Sequence, residues 1–158
     1  MDAVRAAGAV PVGPEAAVVL RIEAGRPRFG VDMDETTIPL EAGIEQRAIS
    51  FTKGCFPGQE VITRVLHRGH GRIAKKLCGL RCDGASVPAP GDAVFAGDRE
   101  AGKVTSATMS PALDCPLALG YLQRDFTDSG TNVSIIHGQE RLPATVVDLP
   151  FVVPTQAR

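Results

Sequence analysis

From Arg72 onward the sequence alternates short apolar runs with clusters of turn residues, and this pattern restricts the fold more than any other feature. Gly, Pro and Asp, which favour turns, separate the runs. The successive segments are KKLCGLRC, AVFAG, DREAGKVTSATMSP, ALGYLQ, DFTDSGTNVSII and HGQERLPATVVDLPF. Strand signals at this spacing predict a small β-barrel or β-sandwich.

Residues 1–71 have a different sequence pattern, with two helical segments and little strand signal. A helix is predicted over residues 15–23, because Pro14 suits its first turn and Gly25 suits its C-terminal end. Its expected buried stripe consists of Val18, Val19 and Ile22. The segment LEAGIEQRAISF predicts a short turn that leads into a strand.

A second helix is predicted over GQEVITRVLHRG, beginning near Gly58 and ending at Gly69. Four apolar residues share its expected buried face: Val61, Ile62, Val65 and Leu66. Two helices are too little for an independent core, so residues 1–71 either pack on the β-domain or belong to a larger domain. We therefore place a boundary near Gly71, with residues 72–158 as the β-domain.

Composition narrows the class of protein without naming a function. Hydrophobic residues make up 44% of the 158, and with no Trp and one Tyr the core must be mainly aliphatic. A net charge of −1 favours neither nucleic acid nor membrane as a partner. No apolar run reaches membrane-helix length and the start lacks a secretory pattern, so we expect a cytoplasmic protein whose four cysteines are thiols.

Cys55 is the strongest candidate for chemistry. It lies in KGCFPGQE, two residues after Lys53 and just before the predicted helix. A cation and a helix N-terminus both favour the reactive thiolate, and the Pro-Gly turn favours exposure of the sulfur. The alternative is a small buried hydrophobic residue, which is the more common role of a free cysteine.

The other cysteines give no metal-binding pattern. Cys78 and Cys82 share one face of a predicted strand, about 13 Å apart at 3.3 Å per residue, which is too far for one ion. Cys115 stands alone before Pro116. A zinc site that also uses His67 and His70 would match no compact ligand spacing. We expect these three cysteines to fill space and no metal to bind.

Charged clusters are the remaining candidates. A basic segment could hold a phosphate or a polycarboxylate, or could be a solvated helix end; its cations are Arg64, Arg68, Arg72, Lys75 and Lys76. It lacks the aromatic residues of a single-strand nucleic-acid platform. The acids Asp32, Asp34, Glu35 and Glu41 could bind calcium only with ligands that the pattern lacks, and could equally cap turns. Arg21 and Glu23 lie late in the first predicted helix, where an arginine usually satisfies carbonyls.

Three segments together resemble one family. They are similar to the YgfZ-type folate-binding proteins, which are relatives of the glycine-cleavage aminomethyltransferase, or T-protein. The three segments are, in order, RIEAGRPRFGVDMDETTIPLEAG, KGCFPGQE and RGHGRIAKKLCGL. The later part of the chain resembles the C-terminal barrel of that superfamily, in the segments PGDAVFAGDREAGKVTSATMSP, ALGYL and LPATVVDLPFV. The KGCFPGQE motif marks the YgfZ branch, because true aminomethyltransferases lack this cysteine motif.

The resemblance implies an α+β fold: a C-terminal remnant of an α/β folate-binding domain, then an antiparallel β-barrel of about six strands. It implies tetrahydrofolate as cofactor, with Arg21 and Glu23 of the R-x-E-A-G motif at the folate. It places Cys55 in thiol or redox chemistry beside Lys53, with the matching motif residues Gly54, Gly58, Gln59 and Glu60. The implied role is assistance to iron–sulfur cluster assembly or repair, with assembly proteins or client enzymes, tRNA-modifying enzymes among them, as partners.

Two departures from the family keep alternatives open. Members are about twice as long, so we expect this chain to correspond to their C-terminal portion, without the half that holds most pterin contacts and the acidic catalytic group. The terminal PFVVPTQAR also lacks the ligand-contacting tyrosine of the aminomethyltransferases. Whether the chain is an enzyme is left undecided. The alternatives are a folate-dependent aminomethyltransferase and a binding module without chemistry.

Overall fold

Six strands close into an antiparallel barrel in the order β1-β4-β3-β2-β5-β6, with β6 returning to β1. The computed structural model describes residues 2–55, 57–68 and 72–153, apart from the side chains of residues 67 and 68. The strands are β1 Lys75–Cys82, β2 Ala93–Ala96, β3 Arg99–Ser110, β4 Cys115–Gln123, β5 Asn132–His137 and β6 Glu140–Val147. The prediction of a barrel of about six strands is confirmed.

Alternation along the strands divides the apolar residues between the inside and the outside of the barrel. In β1, Cys78, Leu80 and Cys82 point into an aliphatic interior shared with residues such as Val94 and Ile135. Leu77 instead packs outside the barrel, with Leu117 and Leu119 of β4. This two-residue period is what places apolar side chains on both surfaces of the same strand.

The outer apolar surface is covered by a helix. The helices are α1 Asp2–Ala6, α2 Pro14–Glu23, α3 Glu45–Ala48 and α4 Gln59–Thr63, followed by a π-helical turn at Arg64–Arg68; a short 3₁₀ turn spans Arg124–Phe126. In α2, Ile22 is fully buried against the outer cluster and Val18 packs beside it, while Val19 is half-buried. The predicted first helix is therefore confirmed, and Ile22 and Val18 of its stripe pack with residues of β1 and β4.

Two local predictions differ from the structure. The strand expected after LEAGIEQRAI is wrong, because α3 ends at Ala48 and residues 49–55 form no strand. A closed barrel has no free edge with which such a strand could pair. The second helix begins next to Gly58 as predicted, but Val61 of its expected buried face is 49% exposed, while Ile62, Val65 and Leu66 are half-buried. The predicted ends at Gly69 and Gly71 lie outside the described residues.

Within the described ranges, no helix has both the length and the apolar character that crossing a membrane requires.

Candidate functional site

Helix α2 ends at the RIEAG motif in a tight backbone turn. The N–H of Gly25 donates to the carbonyl of Ile22, and the N–H of Arg26 donates to that of Arg21. These two bonds form a Schellman ending, which requires a left-handed residue, and Gly25 has φ of +61°. A Cβ at Gly25 would also lie 2.8 Å from the Cβ of Leu149. The motif glycine therefore fits both a backbone conformation and a close contact.

Arg21 and Asp32 form a buried ion pair between α2 and the barrel. The Nη1 of Arg21 lies 2.8 Å from Oδ2 of Asp32, and the Asp32 side chain is fully buried. The Nη2 of Arg21 donates to Ser106 Oγ at 2.8 Å, and the N–H of Arg28 donates to Asp32 at 2.9 Å. The hydroxyls of Thr105 and Ser106 both donate to Oδ1 of Asp32 at 2.6 Å. One carboxylate thus joins three segments of the chain.

An irregularity in β3 makes this arrangement possible. The pairing of β3 with β4 shifts register between Val104 and Ser106. A β-bulge sets two residues of one strand against one of its partner, which interrupts the strict alternation of side chains. Thr105 and Ser106 are consecutive residues, yet both reach the same carboxylate oxygen. The bulge therefore supplies the second hydroxyl to Asp32.

Glu23 forms a second link from the motif to the barrel. Its Oε1 accepts a hydrogen bond from the buried hydroxyl of Ser110, at the end of β3, and another from the N–H of Ala112 at 3.3 Å. Its carbonyl accepts from the N–H of Val152 at 3.0 Å. Glu23 is itself buried. Both charged residues of the motif are thus bound to the protein, and their predicted contact with folate stays a prediction.

The acidic loop after the motif forms hydrogen bonds within itself, and its negative charges act on Tyr121. Asp34 accepts hydrogen bonds from the N–H and the hydroxyl of Thr36, which lower the pKa of its carboxyl. Burial raises the pKa of Tyr121 to about 12, and the negative charges of Glu41 and Asp32 add to that rise. Across the described residues, no group of three His, Cys, Asp or Glu side chains could hold a metal ion.

A cleft of about 430 Å³ opens beside the end of the motif. Ala24 and Gly25 form one wall, and the apolar side chains of Leu77, Leu149 and Pro150 line it together with β1 and the segment after β6. Arg47 of α3 and Lys76 of β1 add positive charge, and Glu45 and Asp148 add negative charge. The cleft therefore combines apolar residues with charged groups of both signs.

The cysteine motif lies on a separate loop. Cys55 is exposed, as predicted for a reactive thiol, and the N–H of Lys53 donates to Ser50 Oγ at 3.3 Å. Gly58 has φ of +84° and precedes Gln59 and Glu60 in the first turn of α4. Pro57 and Gly58 line a cleft of about 380 Å³ with the acidic loop of residues 35–39. Gly54 has open space around its Cα, so sterics alone do not require glycine there.

The remaining cysteines lie within or against the barrel. Burial raises the pKa of Cys78 to about 11 and that of Cys82 to about 12. Both side chains point into the barrel interior, while half-buried Cys115 packs on the outer cluster. The predicted shared face of Cys78 and Cys82 is confirmed, and their burial supports the prediction that they fill space.

The structure defines the class of protein: a closed antiparallel barrel domain with a cleft of polar and apolar residues on its outer side. Residues 75–152 match the family of glycine cleavage T-protein C-terminal barrel domains. Aminomethyltransferases from Thermosynechococcus vestitus and Rubrobacter xylanophilus are 37% and 40% identical over 92% of this chain, covering 39% and 37% of their own lengths. These findings support a place for the chain in the glycine-cleavage T-protein superfamily.

A solved structure agrees with this placement. The glycine cleavage system aminomethyltransferase T from Bartonella henselae superposes with a TM-score of 0.80 at 28% identity, over 89% of this chain and 39% of its own. This chain thus spans about two fifths of the length of the curated relatives that it matches. The likeness confirms the fold and supports the superfamily, while the YgfZ branch stays a prediction.

Several residues that the structure brings together carry no signal in the local sequence. Asp32 belongs to an acidic cluster in the sequence, and no pattern marks its partners Thr105 and Ser106. No pattern marks Arg47 and Arg124 as lining residues of outer clefts either. Nothing local in the sequence marks a bulge or pairs residues more than seventy positions apart, as Asp32 and Ser106 are.

Replacing Asp32 by alanine should strongly destabilise the protein. The change leaves the Arg21 charge with no acidic partner in a site where its side chain is only 17% exposed. Loss of one partner of a buried pair costs about 3–5 kcal/mol. Urea unfolding measures the difference, and Asp125→Ala on the exposed 3₁₀ turn is the matched control. Equal stability of the two variants would show that the pair does not anchor α2.

Cys55, Cys78 and Cys82 should differ in alkylation rate at pH 8. A thiol with pKa of about 11 is ionised to about one part in a thousand at that pH. Cys55, which is exposed, should label at least about a hundredfold faster than Cys78 and Cys82. Mass spectrometry of timed iodoacetamide reactions measures each rate, with urea-unfolded protein as the reference. Similar native rates for all three thiols would contradict the assignment of Cys78 and Cys82 to the barrel interior.

Proposed function

We propose that this chain contributes a tetrahydrofolate-binding site, formed by the cleft at the end of the RIEAG motif. The observation that carries the proposal is the position of Ala24 and Gly25 in the lining of a cleft of about 430 Å³, together with apolar residues and two cations. The superfamily placement and the name aminomethyltransferase among the relatives support a folate as the ligand.

The chemistry of the cleft suits the parts of a folate. The benzoyl ring of a folate has flat, apolar faces, and Leu77, Leu149 and Pro150 offer matching surface. The glutamyl end carries carboxylates, for which Arg47 and Lys76 are suitable partners. A volume of about 430 Å³ lies within the usual range for ligand sites. In this arrangement Arg21 and Glu23 hold the motif against the barrel, in addition to any contact with the ligand.

Replacing Arg47 by alanine should weaken tetrahydrofolate binding about tenfold or more, without loss of fold. The side chain is exposed on α3, and a charge-assisted hydrogen bond contributes about 1.5–3 kcal/mol. Anaerobic calorimetry with the monoglutamate form measures affinity. The control is Arg81→Ala, an exposed arginine of β1 that lines a different cleft. Unchanged affinity in the Arg47 variant would remove this cation from the proposed site, and no binding by the parent chain would reject the proposal itself.

We further propose that the bound folate serves iron–sulfur cluster assembly or repair, through thiol or redox chemistry at Cys55. The supporting observations are the KGCFPGQE motif, the exposure of Cys55, and the left-handed Gly58 that shapes the turn after it. Assembly proteins or client enzymes, tRNA-modifying enzymes among them, would be the partners, in the cytoplasm. Lys53 would favour the thiolate by its charge.

Replacing Cys55 by serine should remove this support while leaving the fold and folate affinity intact. The side chain is exposed, so the change creates no cavity. The measurement is the activity of iron–sulfur enzymes in cells that depend on this protein, with Cys115→Ser as the thiol control. Normal enzyme activity in the Cys55 variant would reject the assigned thiol chemistry.

A second candidate is aminomethyl transfer, which the names of the relatives favour. The discriminating assay supplies a lipoyl carrier loaded with an aminomethyl group and measures transfer of the one-carbon unit to tetrahydrofolate. Transfer that persists in Cys55→Ser would favour this candidate over iron–sulfur support. A pure binding module would instead lose function on charge reversal of Lys75 and Lys76 and tolerate Cys55→Ala.

A further inference from the structure

A groove of about 380 Å³ lies next to the Cys55 turn, away from the proposed folate site. Residues 35–39 of the acidic loop form one side, and residues 57–58 and 61–62, at the start of α4, form the other. We call it the α4 groove. Among the described residues, it shares no lining residue with the cleft at Ala24 and Gly25. It is therefore a separate surface, and it can be changed separately by mutation.

The α4 groove is lined mainly by apolar residues that are open to solvent. These residues are Ile38, Pro39, Pro57, Val61 and Ile62. Val61 is 49% exposed, Pro57 is exposed, and the other three are half-buried. Covering such aliphatic surface is favourable, because it removes apolar area from water. The groove therefore offers an apolar contact to an occupant.

The charge around the α4 groove is negative. Glu35 lines the groove, Asp34 precedes it in the chain, and Glu60 precedes Val61 in α4. Hydrogen bonds from Thr36 lower the pKa of the Asp34 carboxyl, so this group is charged at neutral pH. In the part of the chain that the structure describes, no lysine or arginine lines the groove and none of these three acids makes a salt bridge. The complement of this surface is a cation beside an apolar group.

We propose that the α4 groove is the docking surface for a segment of a partner protein that presents a lysine or arginine next to an apolar side chain. The apolar side chain covers Val61 and Ile62, and the cation lies near Glu35 and Glu60. Charge complementarity of this kind selects a partner and speeds its association. This docking role rests on the proposed thiol chemistry of Cys55, and it names the chemistry of the partner that the thiol meets.

Cys55 can report on the groove, because it is exposed and close to it. It lies two residues before Pro57, so the Cα atoms of the two residues are at most about 7 Å apart. A docked peptide with a cysteine beside its apolar and basic residues therefore brings its sulfur near this thiol. The charge of Lys53, two residues before Cys55, would favour an anionic peptide. A preference for a cationic peptide therefore identifies the groove.

The test measures disulfide exchange between Cys55 of the full chain and two activated peptides. The peptides are Cys-Leu-Lys and Cys-Leu-Glu with blocked ends, each joined through its sulfur to pyridine-2-thiol. The Cys55 thiolate attacks the peptide sulfur and forms a protein–peptide disulfide. The bond to the pyridine sulfur breaks, and the leaving thiolate takes up a proton to give pyridine-2-thione. Absorbance of the thione gives the rate, and mass spectrometry assigns the adduct to Cys55.

The lysine peptide should react at least about fivefold faster than the glutamate peptide, and added salt should reduce this ratio, because exposed charges are screened. Glu35→Lys should abolish or reverse the preference. Glu100→Lys makes the same charge change on β3, outside the groove, and should keep it. Val61→Ser should slow both peptides about threefold or more. Leu20→Ser, at another exposed aliphatic residue, should slow neither.

Equal rates for the two peptides, a faster glutamate peptide, or a lysine preference that survives Glu35→Lys would each overturn the docking role. Slow reaction of both peptides with a chain that is dimeric in solution would overturn it as well, because a second copy would then cover the groove. Circular dichroism and the urea midpoint check that the variants fold.

Failure of the docking role is distinguishable from failure of the proposed function. Normal iron–sulfur enzyme activity in the Cys55→Ser variant would reject the cellular role of this thiol. The peptide preference would remain in the parent chain, since disulfide exchange needs only an exposed thiol. Loss of the peptide preference would in turn leave the cellular test of Cys55 unaffected.

Discussion

The buried ion pair of Arg21 and Asp32 is the interaction on which the outer side of the barrel depends. Asp32 accepts four hydrogen bonds, from Arg21, the Arg28 backbone, Thr105 and Ser106. This degree of satisfaction is what allows a fully buried carboxylate to be stable. The pair fixes the last turn of α2 against β3, and so determines where the RIEAG motif ends. The cleft beside Ala24 and Gly25 is a consequence of that position.

The closed barrel explains why the site lies outside it. The interior is filled by aliphatic residues and the thiols of Cys78 and Cys82, as expected for a six-stranded barrel without space for a ligand. The outer surface of β1 and β4 instead packs on α2 and on the segment that contains Leu149 and Phe151. The junctions between these pieces leave room for a ligand. The proposed folate site therefore lies where loops and one helix meet the barrel wall.

The positions of the four cysteines distinguish one exposed thiol from three that pack in or against the barrel. Three thiols lie in or against the barrel, and burial raises the pKa of two of them. The fourth, Cys55, is on an exposed turn that ends at a left-handed glycine. The loop and the proposed folate cleft are formed by different parts of the chain, so the proposed binding and the proposed thiol chemistry can be tested by separate mutations. This separation gives the proposed functions distinct experimental signatures.

The sequence by itself predicted a small domain of barrel or sandwich type, the bounds of α2 with Ile22 on its buried side, and the shared face of Cys78 and Cys82, because period-two and helical patterns are local. The choice of a barrel came from the family resemblance. The resemblance to the T-protein superfamily likewise came from the quoted motifs. Only the tertiary structure decided that Asp32 is a buried partner rather than a surface acid, that residues 49–55 form no strand, and that Arg72 and Arg124 share a cleft. The partners of Asp32 depend on a bulge in β3, and the missing strand depends on the absence of a free sheet edge. The shared cleft of Arg72 and Arg124 depends on the pairing of β1 with β4. Each is a long-range constraint that no local pattern in the sequence encodes.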